Sequence, residues 1–527
     1  MSPDMSQHMN SFPWISILTA LPLAGAVVVL LLGRKNKPLV RWTALAFSLV
    51  ALIVTLLLWH NFNTAADGFQ FQELHSWIPA LNVDYRVGID GLGLLMLVLT
   101  SIVVPIGMLA SWRIEQRVPL YFSLVLVLQT CLFGTFTALN FFHWFIFWEL
   151  ALIPAFFLVK LWGGSGSAKA AMQFLVYTMV GSVAMLLSFL AIFLATRTFD
   201  FTDLAALAQN GKLMPAVIAT LGWHLLTPEH AALVIFFGAF LGFAVKVPLF
   251  PFHTWLPSTY SEAPTGTTIL LTGAMSKMGL YGFLRILLPL FGPELQRVLT
   301  PLLWLAVATV VLSAYTALAQ KDLKRIFAYS SINHLGYCLL AIFAVVKFTG
   351  GDAALTSEKF AAMNGVFLQM FNHGLTAATI FWFVAMLEKR SGGLRGLNDF
   401  GGLRKVVPVF TGLMGIALFS SLGLPGLNGF VGEFLIFKGS FPLATWATSL
   451  SIIGLLITAV FILGILQRVF YGPVGEKWTT MPDLTLGERL TLVPAIGLMF
   501  VLGLYPQLIL GVVNHTAIQM ALHLRNF

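Results

Sequence analysis

The chain has 527 residues, of which 58% are hydrophobic, 13% aromatic and only 10% charged. Soluble domains carry about 25% charged residues, so this composition excludes an ordinary cytosolic protein and favours one large bundle of membrane helices. The formal charge of +9 does not by itself indicate a nucleic-acid partner, because basic residues accumulate in the loops of any polytopic membrane protein. We therefore expect contact with membrane lipid and none with nucleic acid.

Apolar segments long enough to cross a bilayer recur along the whole chain. A helix needs roughly 20 apolar residues to span about 30 Å of hydrocarbon. This criterion predicts fourteen spans, at 13–33, 39–59, 88–110, 118–138, 140–161, 171–195, 231–251, 265–291, 299–319, 324–346, 361–388, 407–437, 448–471 and 488–512. Polar stretches remain at 60–87 and 196–230, and the second can form a short interfacial helix. The predicted fold is an all-α polytopic bundle of fourteen transmembrane helices.

The loop charges predict the orientation of this bundle. If the N-terminus lies outside, the inner loops contain Arg34, Lys35, Lys37, Arg41, Arg113, Arg117, Lys160, Lys169, Lys321, Lys324, Arg325, Lys389, Arg390, Arg395, Arg404, Lys405, Arg468, Lys477 and Arg489. The outer side then holds Arg86, Arg197, Lys212, Arg285, Arg297, Lys347, Lys359, Lys438 and Arg525. Basic residues are enriched in inner loops, so this asymmetry predicts that both termini lie outside.

Six ionisable residues lie within the apolar spans rather than in loops. They are Glu149, Lys246, Lys277, His334, His373 and Glu433. Each charged group at the bilayer centre costs about 2.5–3.5 kcal/mol even on the lenient insertion scale. Apolar residues could replace buried ion pairs at little loss of stability, so the retention of several such groups indicates charge handling.

Structural roles are the alternative for these residues taken singly. Glu149 and Lys246 could form one packing pair, His334 or His373 could be a satisfied core histidine, and Glu433 could cap a helix beside its glycine-rich segment. A lysine beside a carboxylate is nevertheless suited to proton loading, because desolvation favours release of its proton and a nearby carboxylate favours its retention. Histidine, which titrates near neutrality, suits the connecting positions.

Two of the spans contain helix-breaking residues next to an ionisable group. Pro248 and Pro251 follow Lys246 in the seventh span, and a run of Gly and Pro residues precedes Glu433 in the twelfth. Breaks inside a bilayer are tolerated where they are buried in protein or line water. The seventh and twelfth spans are five spans apart. Because this offset is odd, the two helices cross the membrane in opposite directions, as in transporters with inverted repeats.

This pattern predicts two inverted five-helix repeats with helices 7 and 12 broken. The predicted divisions are a three-helix segment at 1–117, a first repeat at 118–291 containing spans 4–8, and a second repeat at 299–471 containing spans 9–13. The last span and the C-terminal tail occupy 472–527.

Several long motifs carry a family resemblance. The segments FWELALIP (147–154), HTWLPSTYSEAPTGTTILLTGAMSKMGLYGFLR (253–285), QKDLKRIFAYSSINHLGY (320–337), FNHGLTAATIFW and SLGLPGLNGFVGEF resemble the antiporter-like, proton-pumping subunits of respiratory complex I, the NADH-quinone oxidoreductase. Within that family the M type, also called chain 4, is the one resembled. Glu433 stands where the L and N types and the related sodium/proton antiporter subunits have lysine.

The resemblance implies a role for each candidate site residue. Glu149 modulates the charge of Lys246, the central proton carrier of the first repeat. Lys277 and His334 link the half-channels, and Glu433 passes the proton toward the outer side. The additional relay residues that it implies are His253 and His373.

The resemblance also implies a translocase subunit without a cofactor or metal of its own. FMN, iron–sulfur clusters and quinone belong to other parts of the complex, which agrees with a chain that has only Cys131 and Cys338 and no GxGxxG motif after a strand. The implied partners are the L-type and N-type membrane subunits and, through them, the peripheral redox arm. The implied location is the bacterial cytoplasmic (inner) membrane, with both termini on the periplasmic side.

Three other functions remain open at this point. The chain could be a subunit of a multisubunit sodium/proton antiporter driven by ion gradients, or a ferredoxin- or hydrogenase-linked relative of complex I. A b-type cytochrome would use His334 and His373 as axial haem ligands, which requires the two rings to face each other across a porphyrin.

Overall fold

The computed structural model describes residues 12–33, 36–223, 226–348, 350 and 352–524. Arg34, Lys35 and Arg525, three of the basic residues used to orient the bundle, lie outside the described residues. The two chain ends, whose side of the membrane was predicted from that orientation, lie outside them as well.

The N-terminal part combines three helices with a β-hairpin. Its elements are α1 (Trp14–Leu31), α2 (Lys37–Asn61), β1 (Gln70–Ile78), β2 (Val83–Ile89) and α3 (Gly91–Ala110). The antiparallel hairpin contradicts the all-α prediction in this segment. A sequence signal for it exists, since Val83, Tyr85, Val87 and Ile89 alternate with polar or small residues at the period of a strand. Asn82 has the left-handed conformation that the turn requires.

A carboxylate of the hairpin caps the N-terminus of the first helix. The Glu73 carboxylate accepts hydrogen bonds from the Ile15 and Ser16 backbone amides, at 2.8 and 3.1 Å. These amides belong to the first turn of α1, where no helical carbonyl is available to them. Glu73 therefore supplies from a distant strand the cap that Pro13, the residue before α1, does not provide.

The middle of the chain forms twelve further helices. They are α4 (Val118–Thr137), α5 (Phe141–Leu150), α6 (Leu152–Trp162), α7 (Ser167–Thr196), α8 (Phe201–Gln209), α9 (Leu213–Leu221), α10 (Pro228–Lys246), α11 (Trp255–Glu262), α12 (Thr265–Leu270), α13 (Lys277–Gly282), α14 (Leu288–Leu290) and α15 (Gly292–Arg297). The π-helical segments Leu271–Met275 and Phe283–Leu287 join α12, α13 and α14 into one nearly continuous rod. Helices α8 and α9 occupy the stretch in which a short helix was expected.

The remaining helices form the second large group. They are α16 (Leu299–Ala319), α17 (Leu323–Lys347), α18 (Ala353–Ser391), α19 (Pro408–Ser421), α20 (Asn428–Leu443), α21 (Thr445–Ile465), α22 (Leu486–Leu504) and α23 (Gln507–His523). The π-helical segment Leu466–Phe470 extends α21. The predicted span 488–512 is wrong at its end, because α22 stops at Leu504 and Pro506 introduces a separate helix.

Within the described residues, 12 helices are long and apolar enough to cross a membrane. They correspond to twelve of the fourteen predicted spans. The other two, 265–291 and 407–437, consist of shorter helical pieces, so the count of fourteen stays a prediction. A mostly helical multi-pass membrane bundle is confirmed.

Polar caps set the start of several helices that carry site residues. Asn140 accepts the His143 amide at 2.8 Å at the start of α5, and Asp322 accepts the Arg325 amide at 3.0 Å at the start of α17. Asp90 does the same for Gly93 at 3.0 Å in α3. Asn and Asp are favoured N-caps because their side chains satisfy the free amides of the first turn.

Candidate functional site: a row of buried ionisable side chains

Four of the predicted site residues meet in the centre of the bundle. The Lys277 ammonium nitrogen Nζ lies 2.8 Å from His373 Nδ1. The His373 and His334 rings are in contact, with centroids 5.3 Å apart. His334 Nδ1 in turn lies 3.2 Å from the Glu433 carboxylate oxygen Oε1. The row therefore joins residues from α13, α18, α17 and α20 in that order.

The Lys277 ammonium, at one end of the row, has several hydrogen-bond partners. Besides His373, its Nζ donates to the Thr272 carbonyl at 2.5 Å and to the Ser276 hydroxyl at 3.3 Å. The side chain is fully buried. Three polar partners replace the water that the ammonium loses, which makes a buried lysine tolerable at this position.

The Glu433 end has a looser geometry. The Gln369 amide donates to Glu433 Oε1 at 3.4 Å. His334 Nδ1 is close to the same oxygen but off the hydrogen-bonding line, and it has no other partner. The opposite ring nitrogen, Nε2, lies 3.2 Å from the Ser421 hydroxyl. A small movement of the ring or the carboxylate would make or break the His334–Glu433 bond.

A small polar cavity lies along this end of the row. It offers about 20 Å³ to the centre of a water molecule, and His334, His373, Gln369, Ser421 and Glu433 are among its lining residues. A water needs roughly 10–15 Å³ by this measure and two to four polar partners. The cavity has room for about one water in contact with the ionisable groups.

Glu149 and Lys246 form a second, separate location. Lys246 is the last residue of α10 and is 2% exposed. Its Nζ has no hydrogen-bond partner and lies 4.9 Å from the centre of the Trp148 ring, a cation–π contact. Glu149 Oε1 is also buried without a partner. The two groups interact through their charges without a direct ion pair.

The segment after Lys246 leaves the helical path and then resumes it. Helix α10 ends at Lys246, and α11 begins at Trp255. The backbone groups at this interruption have partners: the Trp255 indole donates to the Val245 carbonyl at 3.0 Å, and the Phe250 amide donates to the Thr309 hydroxyl at 2.9 Å. Irregular backbone is tolerated at membrane depth under this condition.

His253 lies on the interrupted segment, apart from the other site residues. Its ring stacks on Phe250 at 5.5 Å and meets Tyr329 edge-on at 6.5 Å. Its buried Nδ1 has no hydrogen-bond partner. The structure places it in contact with none of the other six candidate residues.

Glycines bring the helices that carry the site close together. A Cβ atom at Gly242 of α10 would lie 3.1 Å from the Gly181 carbonyl of α7 and 2.9 Å from Met185 Cβ. On the other side of the bundle, a Cβ at Gly365 of α18 would lie 2.6 Å from the Ile436 amide of α20. Small residues permit this backbone approach in membrane helices, and it sets the positions of Lys246 and Glu433.

Besides the predicted site residues, four basic residues that were counted among the loop charges are buried: Arg41, Arg285, Lys324 and Lys359. Arg285 forms an ion pair with Asp90 at 2.5 Å, and the two side chains are 8% and 9% exposed. Lys324 is 2% exposed. The assignment of Arg285 and Lys324 to loops is wrong, because both lie in helical segments, and their side of the membrane stays a prediction. The available signal was their position, since Arg285 lies inside the predicted span 265–291 and Lys324 is the first residue of 324–346.

The histidine geometry contradicts the cytochrome alternative. The two rings touch each other directly, at an interplanar angle of 45°. Their nitrogens are directed at Lys277, Ser421 and Glu433. The rings therefore leave no porphyrin-wide gap between opposed nitrogens, which axial haem ligation requires.

Comparisons with known proteins agree with the motifs. The family model described as "NADH:quinone oxidoreductase/Mrp antiporter, TM" matches residues 138–460. NADH-quinone oxidoreductase subunit M of Rhodobacter capsulatus is 34% identical over 505 residues, covering 95% of this chain and 94% of the relative. F(420)H(2) dehydrogenase subunit M of Methanosarcina mazei is 35% identical over 509 residues, covering 94% and 96%.

A solved structure supports the same family assignment. A chain of respiratory complex I from Thermus thermophilus with bound NADH superposes with a TM-score of 0.81 at 27% identity, covering 97% of this chain and 99% of that one. The chain belongs to the NADH:quinone oxidoreductase/Mrp antiporter transmembrane family, which confirms the resemblance carried by its motifs.

Proposed function

We propose that this chain is the M-type, proton-translocating membrane subunit of a redox-driven NADH:quinone oxidoreductase. The observation that carries the proposal is the row of Lys277, His373, His334 and Glu433, in which each member contacts the next. The full-length similarity to M subunits of such complexes supports the same function. In this chain the four groups provide successive sites at which a proton can be held.

The proposed transfer begins at the separate pair of Glu149 and Lys246. With the carboxylate near, the Lys246 amine holds its proton; when the carboxylate withdraws, the proton is released, because burial without a counter-charge disfavours an ammonium. The proton then reaches Lys277, His373 and His334, and Glu433 passes it onward to the outer side. His253, whose buried Nδ1 is free, serves as an additional relay at the interrupted segment.

The proposed architecture is two inverted five-helix repeats, 118–291 and 299–471, between a three-helix segment at 1–117 and a tail at 472–527. The interruption after Lys246 and the separation of α19 from α20 just before Glu433 support two broken helices, the seventh and the twelfth. Broken helices at the repeat interface are typical of transporter sites at the bilayer midplane.

The rest of the machinery is assigned to partner subunits. In the proposal, NADH oxidation on FMN, electron transfer through iron–sulfur clusters and quinone reduction occur elsewhere, and L-type and N-type membrane subunits connect this chain to the peripheral arm. The complex lies in a bacterial cytoplasmic (inner) membrane, with both termini of this chain on the periplasmic side. The basic residues of the inner loops support this orientation.

A sodium/proton antiporter subunit is the second candidate. The observation that favours it is the family description, which includes Mrp antiporters. Glu433 argues for the first candidate, because the resemblance implies lysine at that position in antiporter subunits. A third possibility concerns only the electron donor, since the Methanosarcina mazei relative is named for a donor other than NADH.

The test uses the assembled complex in vesicles. We expect Lys246→Ala and Glu149→Ala each to abolish coupled pumping, measured as protons moved per electron, while the complex still assembles on a native gel. Lys160→Ala is the matched control, because Lys160 makes a similar cation–π contact, 5.2 Å from the Phe156 ring, at an exposed position. A normal stoichiometry in both test variants would overturn the proposal. Pumping that follows a sodium gradient without electron transfer would favour the antiporter.

A further inference from the structure

Lys324 is a buried amine at one end of the bundle, behind a group of partly exposed charges. It is the second residue of α17 and is 2% exposed. A lysine that only fixes topology should reach water at the membrane surface, because its long side chain can snorkel. Lys324 instead points into the protein, where an ionisable residue in a membrane helix indicates function by default.

The contacts of Lys324 leave most of its donors free. Its Nζ donates to the Ala263 carbonyl at 2.6 Å, and this is its one hydrogen bond in the part of the chain that the structure describes. An ammonium has three donors. The charges of Glu388, Asp322 and Glu262 act on it without forming a direct ion pair.

These carboxylates have other partners and connect Lys324 to solvent. Arg395 bonds to Asp322 at 2.5 Å and to Glu388 at 3.3 Å, and the three side chains are 20–28% exposed. The Thr265 hydroxyl donates to Glu388 at 2.6 Å. Water therefore reaches the outer side of this cluster, and the buried amine lies directly behind it.

A group of hydroxyls next to Lys277 begins one turn before Ala263, the residue whose carbonyl binds the Lys324 amine. Ala263 and Tyr260 are one turn apart, and the buried Tyr260 hydroxyl lies beside the Thr272 and Ser276 hydroxyls. Lys277 Nζ bonds to the Thr272 carbonyl and the Ser276 hydroxyl. Polar side chains thus lie between Tyr260 and the first member of the row, and the Ala263 carbonyl is the contact that Lys324 makes with the same segment.

From this arrangement we propose that Lys324 is a second proton-uptake residue, which loads Lys277 from the aqueous end at Glu388 and Arg395, and that pumping requires this uptake as well as the step at Glu149 and Lys246. The inference rests on the proposed function. The Lys324 ammonium gives up one proton, and water with the Tyr260 and Ser276 hydroxyls passes it on by accepting one proton and donating another. The neutral Lys277 amine takes it up, and Lys324 regains a proton from water.

If Lys324 has only a structural role, its variants should behave differently from those of a proton-uptake residue. A residue that only fixes the Ala263 carbonyl at the end of α11 needs a donor and no change of charge. Arginine supplies donors and cannot lose its proton in a protein. The variant Lys324→Arg therefore separates the two roles, and Lys324→Met removes both.

The experiment measures protons moved per electron by the assembled complex in vesicles. We expect Lys324→Arg and Lys324→Met both to lose as much pumping as Lys246→Ala, and Lys321→Met, at an exposed lysine three residues earlier, to pump normally. Normal pumping by Lys324→Arg would overturn the proposal, whether or not Lys324→Met is defective. If the lysine variants do not assemble, Tyr260→Phe keeps the packing and removes the intermediate hydroxyl; normal pumping in that variant would also overturn it.

Failure of the inference about Lys324 can be distinguished from failure of the proposed function. Normal stoichiometry in both Lys246→Ala and Glu149→Ala contradicts proton translocation by this chain. Loss of pumping in those two variants together with normal pumping in Lys324→Arg and Tyr260→Phe contradicts only the second uptake residue.

Discussion

The substitution Glu433→Gln removes one charge from the end of the central row and changes little else. Glu433 Oε1 lies 3.2 Å from His334 Nδ1, and the two side chains are 6% and 3% exposed. At an effective dielectric constant of about 20, two unit charges at this distance attract by about 5 kcal/mol. Breaking a buried charge pair by removing one partner costs about 3–5 kcal/mol.

Glutamine keeps the size of the side chain and an acceptor for Gln369, so the fold should survive. The row, however, loses its last carboxylate, and an amide oxygen does not take up and release a proton as a carboxylate does. We therefore expect proton transfer beyond His334 to become too slow to follow electron transfer.

The assay is proton translocation by the assembled complex in vesicles, with quinone reduction measured in the same sample. The variant should reduce quinone when an uncoupler is present and move fewer protons per electron when it is absent. Glu358→Gln is the control, because Glu358 pairs with Lys438 at 2.7 Å at the surface, where such a pair contributes about 0–1 kcal/mol. Wild-type stoichiometry in Glu433→Gln would refute a role for the His334–Glu433 contact.

Two further predictions concern stability and helix packing. Asp90→Asn leaves Arg285 buried without its partner and should reduce the stability of the complex by about 3–5 kcal/mol, measured as a lower thermal midpoint in detergent. Adding Arg285→Met should recover most of that loss, and a further loss in the double variant would show that the pair is not the cause. Gly242→Ala places a methyl group 2.9 Å from Met185 Cβ and should cost about 1–3 kcal/mol by overpacking and reduce pumping. Gly412→Ala, where the added carbon has no neighbour within 4 Å, should have no effect on either measurement.

The sequence was sufficient to predict the burial of five ionisable residues, Lys246, Lys277, His334, His373 and Glu433, and the reason is physical. Each of them stands in a window so apolar that one charged or imidazole side chain is conspicuous. The order Lys277, His373, His334 and Glu433 was not accessible in the same way. The four groups come from four helices, and Lys277 and His373 are 96 positions apart, so their contact depends on packing that no local pattern reports.

Two features were misread because span boundaries hide side-chain direction. Counting charges in loops assumes that a basic residue at the edge of an apolar segment reaches the surface. Lys324 and Arg285 stand at such edges, and tertiary contacts turn both inward. The hairpin formed by β1 and β2 was not predicted, although the residues of β2 alternate at the period of a strand.

The two central lysines differ in a way that bears on how a proton could be driven between them. Lys277 has three polar partners within hydrogen-bonding distance, so its surroundings change little when neighbouring charges move. Lys246 has none, and among the described residues its charge interacts with the face of the Trp148 ring and, across a gap, with Glu149. The electrostatic energy of a buried charge varies inversely with distance in a medium of low dielectric constant, so a small shift of Glu149 changes the proton affinity of Lys246 far more than that of Lys277. In the proposed mechanism a conformational change therefore acts on the proton affinity of Lys246, and Lys277 receives the proton.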